Sequence, residues 1–234
     1  MINFELIVKY LPLLLKGAIT TLHIAAMSCF LGLTGGTLLA LGQTQSSLIH
    51  ASRLGKLRWA GSLLNYCISF YITIIRGTPM LIQIAFFYYA IIPALGLQIS
   101  PLYAAIIAIG INSSAYISQV IRSGITSVDK GQLEAARVLG FSKMQSIRYI
   151  VLPQALRMVI PSLGNEFITL IKDSSLAYTI GVVELYKQGI TMKSLTFDTM
   201  TTFTAVALIY LILTTVLSFV MNVIERKMNQ HVKN

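Results

Sequence analysis

Charge is what this chain has least of. Only eight of its residues are Asp or Glu, against 18 Lys and Arg, and charged residues make up 11% of the whole. No residue from Gly17 to Ser52 is charged, and none from Gly77 to Ile121. A mean hydropathy of +0.74 with 55% hydrophobic residues excludes an ordinary soluble domain. The two cysteines, Cys29 and Cys67, lie in apolar stretches without CxxC spacing, so they read as packing residues rather than a disulfide or metal ligands. His23, His50 and His231 are too far apart to suggest a metal motif. There is no G-x-x-x-x-G-K-[ST] loop for nucleotide phosphates, no H-E-x-x-H and no nucleophile elbow. The residues before Cys29, Ala26-Met27-Ser28, do not form a lipoprotein cleavage site, so the first apolar stretch reads as a retained helix.

What is present is apolar length. As a helix, Gly77–Ile121 would extend roughly 67 Å, about twice the 30 Å of a bilayer core. It must fold back, and the turn falls at Pro93–Pro101. We expect an all-α polytopic bundle, one membrane domain over 1–234, with about five spans near 18–42, 78–95, 101–122, 154–172 and 200–223. Trp59–Ile75 is also uncharged. Its Ser62, Asn65, Tyr66, Ser69, Thr73 and Arg76 recur at helical spacing, which predicts an amphipathic helix at the interface rather than a span. The net charge of +10 is scattered among short loops, which argues against a nucleic-acid partner. It fits a positive-inside rule instead: the groups in 43–78, 122–157 and 224–234 hold 13 of the 18 cations. That places the N-terminus outside and the C-terminus in the cytoplasm. Asp173, Glu184 and Asp198 offset Lys172, Lys187 and Lys193 in the remaining outer stretch.

Local signals refine the map. Ser28, Gly32, Gly36 and Ala40, at four-residue steps, make a small-residue seam for close helix packing. Arg76-Gly77-Thr78-Pro79 marks the entrance to the second span, and Pro153 opens the fourth. Pro161 is expected to interrupt the fourth. In the basic loop of about 124–152, Asp129 caps a short helix with Gln132 as its reciprocal partner, and Gly140 ends it in a left-handed conformation.

That loop contains Glu134-Ala135-Ala136, then Gly140, Ile150, Leu152 and Pro153. It resembles the EAA loop of ABC-importer permease subunits, in which E-A-A is followed by three residues, G, nine residues, I, one residue and L-P. All seven specified positions are met. Arg76-Gly77-Thr78-Pro79 with Gln83, Ala115-Tyr116 leading to Arg122, Gly164-Asn165, and Lys172-Asp173-Ser174-Ser175-Leu176 are similar to the polar amino acid branch of that family. Two positions depart from it. Gln119 stands where relatives often carry Glu, and Ser123-Gly124 where they often carry Gly-Gly. The resemblance implies a type I importer fold on the bacterial inner membrane. It also implies a second permease subunit, two cytoplasmic ATPases that hold the ATP and magnesium, and an extracytoplasmic amino acid-binding protein. The chain itself would bind no cofactor and would not be an enzyme. Glu134, Ala135, Ala136 and Gly140 would couple it to the ATPase.

Polar residues within the spans are the other candidates. Asn112, Tyr116, Gln119 and Ser123 share a helical face, as do Glu166, Thr169 and Asp173. Together with Asn165 and Gln83 they are expected to line a path polar enough for an amino acid, glutamine first and basic amino acids next. Glu166 carries the sharpest signal, because an intramembrane carboxylate costs roughly 2.5–3.5 kcal/mol on insertion scales unless it is paired or wet. A structural ion pair from Glu166 to Lys172 or Arg157 is the bland alternative. An ion-coupled secondary transporter with Glu166 as its proton or ion site is the other class of function, although five spans without a visible inverted repeat argue against it.

Overall fold

The computed structural model describes residues 2–50 and 55–230. Among them are nine helices and no strand. They are α1 (Phe4–His50), α2 (Gly55–Gly77), α3 (Met80–Ala94), α4 (Pro101–Thr126), α5 (Lys130–Val138), α6 (Lys143–Ser146), α7 (Leu152–Asp173), α8 (Leu185–Thr196) and α9 (Thr199–Gln230). By length and apolarity, α1, α4 and α9 can each cross a membrane. The bent pair Trp59–Gly77 and Met80–Ala94 can together make a fourth crossing, with 108° between its limbs.

The centre of the bundle is α4. Ala104, Ala105, Ala108, Ile109, Ala115 and Ile117 are all buried, with Ser113, Ser114 and Ser118 among them. Small side chains on one face let α1 lie close against it. A Cβ on Gly32 would stand 2.6 Å from Ser113 Oγ, and one on Gly36 would stand 2.9 Å from the Ser114 carbonyl oxygen. Ser28 Oγ donates to the Ile106 carbonyl at 3.1 Å, and Ala40 is buried. The four-residue seam is therefore the α1–α4 contact. Two apolar clusters follow. One joins Ile24 and Ile84 to Ile109, Ile171, Ile180 and Val182, and the other joins Leu14 and Ala18 to Leu185, Met192, Ala205 and Val206.

Two expectations need correction. The 59–75 segment is the first limb of the bent pair, not a separate interfacial helix. Ile68 and Ile72 are buried with Ala115, and Tyr71 donates to the Ile111 carbonyl at 2.7 Å, so the helix stacks along α1 and α4. Of its polar positions, Ser69 meets Gln43 of α1 and Arg76 lies over Tyr116 of α4, while Asn65, Tyr66 and Thr73 stay exposed. Pro161 does not interrupt α7, which runs through it. The fourth expected span, α7, is one continuous helix of 22 residues, more polar than α1, α4 and α9. It packs among α1, α4 and α9, where neighbouring helices replace lipid.

The seam yields a test. Gly36→Ala must displace a backbone oxygen, so it should lower stability by about 1–3 kcal/mol in denaturant unfolding of the detergent-purified chain. Gly77→Ala, where a Cβ meets nothing within 4 Å, should leave stability within about 0.5 kcal/mol. Equal losses in both variants would remove the seam as the cause.

Candidate functional site

The break between α2 and α3 leaves carbonyls that no helical N–H can reach. Pro79 supplies no donor there, and Gln83 does. Its Nε2 donates to the Ile75 carbonyl at 2.7 Å, the Thr78 carbonyl at 3.0 Å and Thr78 Oγ1 at 2.7 Å. Its Oε1 then accepts from Asn112 Nδ2 of α4 at 2.9 Å. One turn further along α4, the Tyr116 ring lies 5.3 Å below the Arg76 guanidinium. Gln119 donates to Gln43 Oε1 of α1 at 3.5 Å and to Ser118 Oγ at 3.4 Å. The stripe Asn112–Tyr116–Gln119 is thus turned toward α1 and the bent pair.

Glu166 belongs to a second group. Its Oε1 accepts from Ser113 Oγ at 3.2 Å, and among the described residues neither Lys172 nor Arg157 pairs with it. Asn165 and Thr169 are exposed on α7, with the Thr169 hydroxyl donating to the Asn165 carbonyl at 3.0 Å. Asp173, half-buried, ends the helix, and a 3-10 segment, Ser174–Ile180, follows directly. One turn of α4 therefore serves both groups: Asn112 holds the break, and Ser113 holds the α7 carboxylate.

A third constellation was not legible as a site. Glu184 is 0% exposed and is the N-cap of α8. Its carboxylate accepts from the backbone N–H groups of Tyr186 and Lys187, each at 2.8 Å, from Tyr210 Oη at 3.0 Å and from Thr21 Oγ1 at 3.5 Å. Sequence alone treated it as a surface offset to nearby lysines. Glu is not among the favoured N-cap residues, so its caps and turns gave no warning.

In the loop, Asp129 caps α5 through Gly131 N–H at 2.6 Å. Gln132 is not its reciprocal partner: Gln132 Oε1 accepts from Gln154 Nε2 at 2.9 Å and ties α5 to α7. The capping box sits instead at Ser142 and Gln145, opening α6. Gly140 is left-handed, with φ +80, and Phe141 N–H bonds the Ala136 carbonyl while Gly140 N–H bonds that of Arg137. Glu134 and Ala135 are exposed, but Ala136 is only 1% exposed. Only the first alanine is at the surface, since the second packs inward. The apolar surface at the end of α5 comes from Val138 and Leu139, 88% and 76% exposed.

Residues 47–230 match the family described as binding-protein-dependent transport system inner membrane component. The glutamine transport system permease protein GlnP of Escherichia coli (strain K12) is 40% identical over 219 residues, 93% of this chain and 94% of that protein. The arginine transport system permease protein ArtQ of Bacillus subtilis (strain 168) is 32% identical over 230 residues, 98% of this chain and 99% of that one. A crystal structure described as an amino acid ABC transporter with histidines superposes with a TM-score of 0.82 at 34% identity, covering 97% of this chain and 99% of that chain. The chain belongs to the binding-protein-dependent inner membrane component family.

Membership in this transport family gives the polar groups their context, since a membrane transport component needs both fixed polar contacts and a path. Gln83 and Asn112 spend the contacts just described within the fold. Asn165 and Thr169 keep their side chains toward the surface. If Gln83 serves the break, Gln83→Leu strands two carbonyls and the Asn112 amide, at about 1–3 kcal/mol for each buried group left unmet. Asn112→Leu alone should cost less. A double-mutant cycle by denaturant unfolding should give a coupling of roughly 0.5–3 kcal/mol, and additive losses would mean that the two side chains do not act together.

Proposed function

We propose that this chain is the permease subunit of an ATP-driven importer of a polar L-amino acid, with glutamine favoured over basic amino acids. The observation that carries the reading is the polar exposed face of α7. Asn165, Thr169 and Lys172 lie exposed on a helix packed deep in an apolar bundle, and Glu166 and Asp173 are half-buried beside them. Lipid cannot cover such a face, because each ionised group there costs several kcal/mol. A second permease subunit facing it across a wet path satisfies it. Glu166 supplies a single charge for the α-ammonium group shared by all amino acids, and Asn165 and Thr169 supply neutral hydrogen-bonding groups for the rest. Gln83, Asn112 and Gln119 lie on the stripe of α3 and α4 that faces the bent pair and α1. Asp173, two turns from Glu166, is the only other acid on α7 that a cationic side chain could use. The stronger likeness to a glutamine permease than to an arginine permease supports the same choice.

In this reading the loop end of the bundle is cytoplasmic, the N-terminus lies outside and the C-terminus inside. Glu134, Ala135, Val138 and Leu139 dock on one of two ATPase subunits, and Gly140 fixes the end of that helix. ATP and magnesium are held by those subunits, and a solute-loaded binding protein delivers the amino acid from outside. ATP binding shifts the permease between inward- and outward-open states through contacts at the loop, a coupling between sites that need not touch.

The test is uptake into vesicles holding the complete transporter. Glu166→Gln keeps the shape and removes the charge, so glutamine uptake should fall at least tenfold with assembly intact. Glu134→Lys should leave the permease inserted but abolish ATPase stimulation and uptake. Full uptake in Glu166→Gln would make Glu166 structural, full uptake in Glu134→Lys would free the loop from coupling, and arginine preference in the wild type would overturn the neutral solute. Uptake driven by a proton or sodium gradient without ATPase would replace the whole reading with a secondary transporter.

A further inference from the structure

The proposed path leaves one charge of the solute unmet. Glu166 is assigned to the α-ammonium group, and no residue yet holds the α-carboxylate. Arg76, in the last turn of α2, is exposed and has no ionic partner among the described residues. Its one contact there is the Tyr116 ring, 5.3 Å from the guanidinium. None of its N–H donors meets an acceptor among those residues, although a guanidinium offers a whole fork of them.

Depth makes this cation costly to leave alone. Tyr116 lies ten residues before Thr126, the loop end of α4, which is roughly 15 Å at 1.5 Å per residue. A charge that far inside a membrane bundle must face water, a ligand or a partner. Lipid is on the other side of the elbow. There, between α2 and α3, Ile74, Ile75, Ile82, Phe86 and Ile111 line an apolar cavity of about 390 Å³. At about 100° per residue, Arg76 lies roughly 150° round α2 from the midpoint of Ile74 and Ile75. The guanidinium is turned away from the apolar side.

The same stretch of α4 also holds the opposite charge. Ser113, three residues before Tyr116, donates to Glu166 Oε1 at 3.2 Å. Residues three apart are neighbours on a helix surface. Two adjacent positions of α4 thus carry an anion brought by α7 and a cation brought by α2, and the two do not pair with each other. A ligand with both charges, an amino acid zwitterion, answers both.

We propose that Arg76 is the α-carboxylate site of the solute path. The Tyr116 ring steadies its guanidinium, and its free N–H groups donate to both carboxylate oxygens, a geometry that a planar fork suits. The inference rests on the amino acid reading of the path given above. It concerns the carboxylate rather than the side chain, so it holds for whichever amino acid the path accepts.

The test is equilibrium binding to the permease with its ATPase in lipid nanodiscs, without a binding protein to impose its own selectivity. Radiolabelled glutamine is compared with 4-aminobutanamide, and arginine with agmatine; each second compound is the first without its α-carboxylate. In at least one pair the wild type should bind the amino acid at least tenfold tighter than its amine. Arg76→Gln should weaken the amino acid at least tenfold and the amine no more than twofold, so that the preference disappears. Arg76→Lys keeps the charge without the fork and should lose at least threefold of the preference. An unchanged preference in Arg76→Gln, an equal loss for both members of a pair, or a wild type with no preference would each overturn the carboxylate site. If Arg76→Gln does not assemble, Arg76→Lys decides, and a preference it keeps in full sinks the proposal. Loss of assembly in both variants would assign Arg76 to an acid of the partner subunit instead. A wild type that binds arginine and not glutamine refutes the choice of glutamine, while arginine and agmatine still decide Arg76. Binding of none of the four compounds would overturn the amino acid reading and the carboxylate site with it.

Discussion

A polar group inside an apolar bundle has no water to turn to, so its partner must come from the chain itself. This constraint explains more of the structure than apolar packing does. Where the backbone is regular, hydroxyls bond back to carbonyls one turn away, as in Thr34, Thr44, Ser118 and Thr214. Where it breaks, between α2 and α3, a single glutamine takes up two carbonyls and a hydroxyl and is itself held by Asn112. Where a helix must start in the interior, Glu184 supplies the acceptor that a solvated end would draw from water. The one glutamine amide serves three polar groups at a break bent by 108°.

Close backbone approach is the second half of the same logic. Apolar side chains gain little from one another when lipid is just as apolar, so helices associate through small residues and hydrogen bonds. The α1–α4 contact uses both: glycines bring the backbones together, and Ser28 bonds across the gap to the Ile106 carbonyl. α7 differs because part of its polarity, the Asn165, Thr169 and Lys172 side chains, faces outward. Ser113 meets Glu166 from one side, while Asn165 and Thr169 stay at the surface. A helix that keeps a polar face outward, set among helices that turn theirs inward, is the part of the fold that packing alone does not explain.

The sequence exposes these features unevenly, for physical reasons. Periodicity reveals a seam of small residues because every fourth position must be small for helices to touch, and the α1–α4 contact follows it residue by residue. A left-handed helix end demands glycine, so Gly140 was legible without its neighbours. Partner choice is harder. Gln132 sits at the right spacing to answer Asp129, yet Gln154 reaches it across space, and spacing cannot see that. Ala135 and Ala136 look alike in sequence, although only the fold decides that one faces inward. Prolines mark where a helix can break but not where it does: Pro161 lies inside a continuous helix, and the bend falls at Gly77–Pro79. Glu184 escaped notice because burial, not sequence, distinguishes a structural carboxylate from a surface one.

From Lys143 to Asp173 the chain is helical without a gap, passing through a π-helical turn at Ile147–Val151. At about 1.5 Å per residue, that rod extends roughly 46 Å. Gln154, roughly 17 Å from its loop end, is tied to α5 through Gln132, and the far end passes directly into the 3-10 segment at Ser174. On the proposed reading, a push at the loop reaches the solute residues along this single rigid element, with no chain of intermediate contacts needed. A rod of that kind moves usefully only if its far end has a seat, since a free end would turn a push into disorder. The far end has such a seat in Leu170, Ile171, Ala177 and Ile180, which are buried in one apolar cluster with Ile24 and Ile109. On that reading a push moves the loop end most and the packed end least.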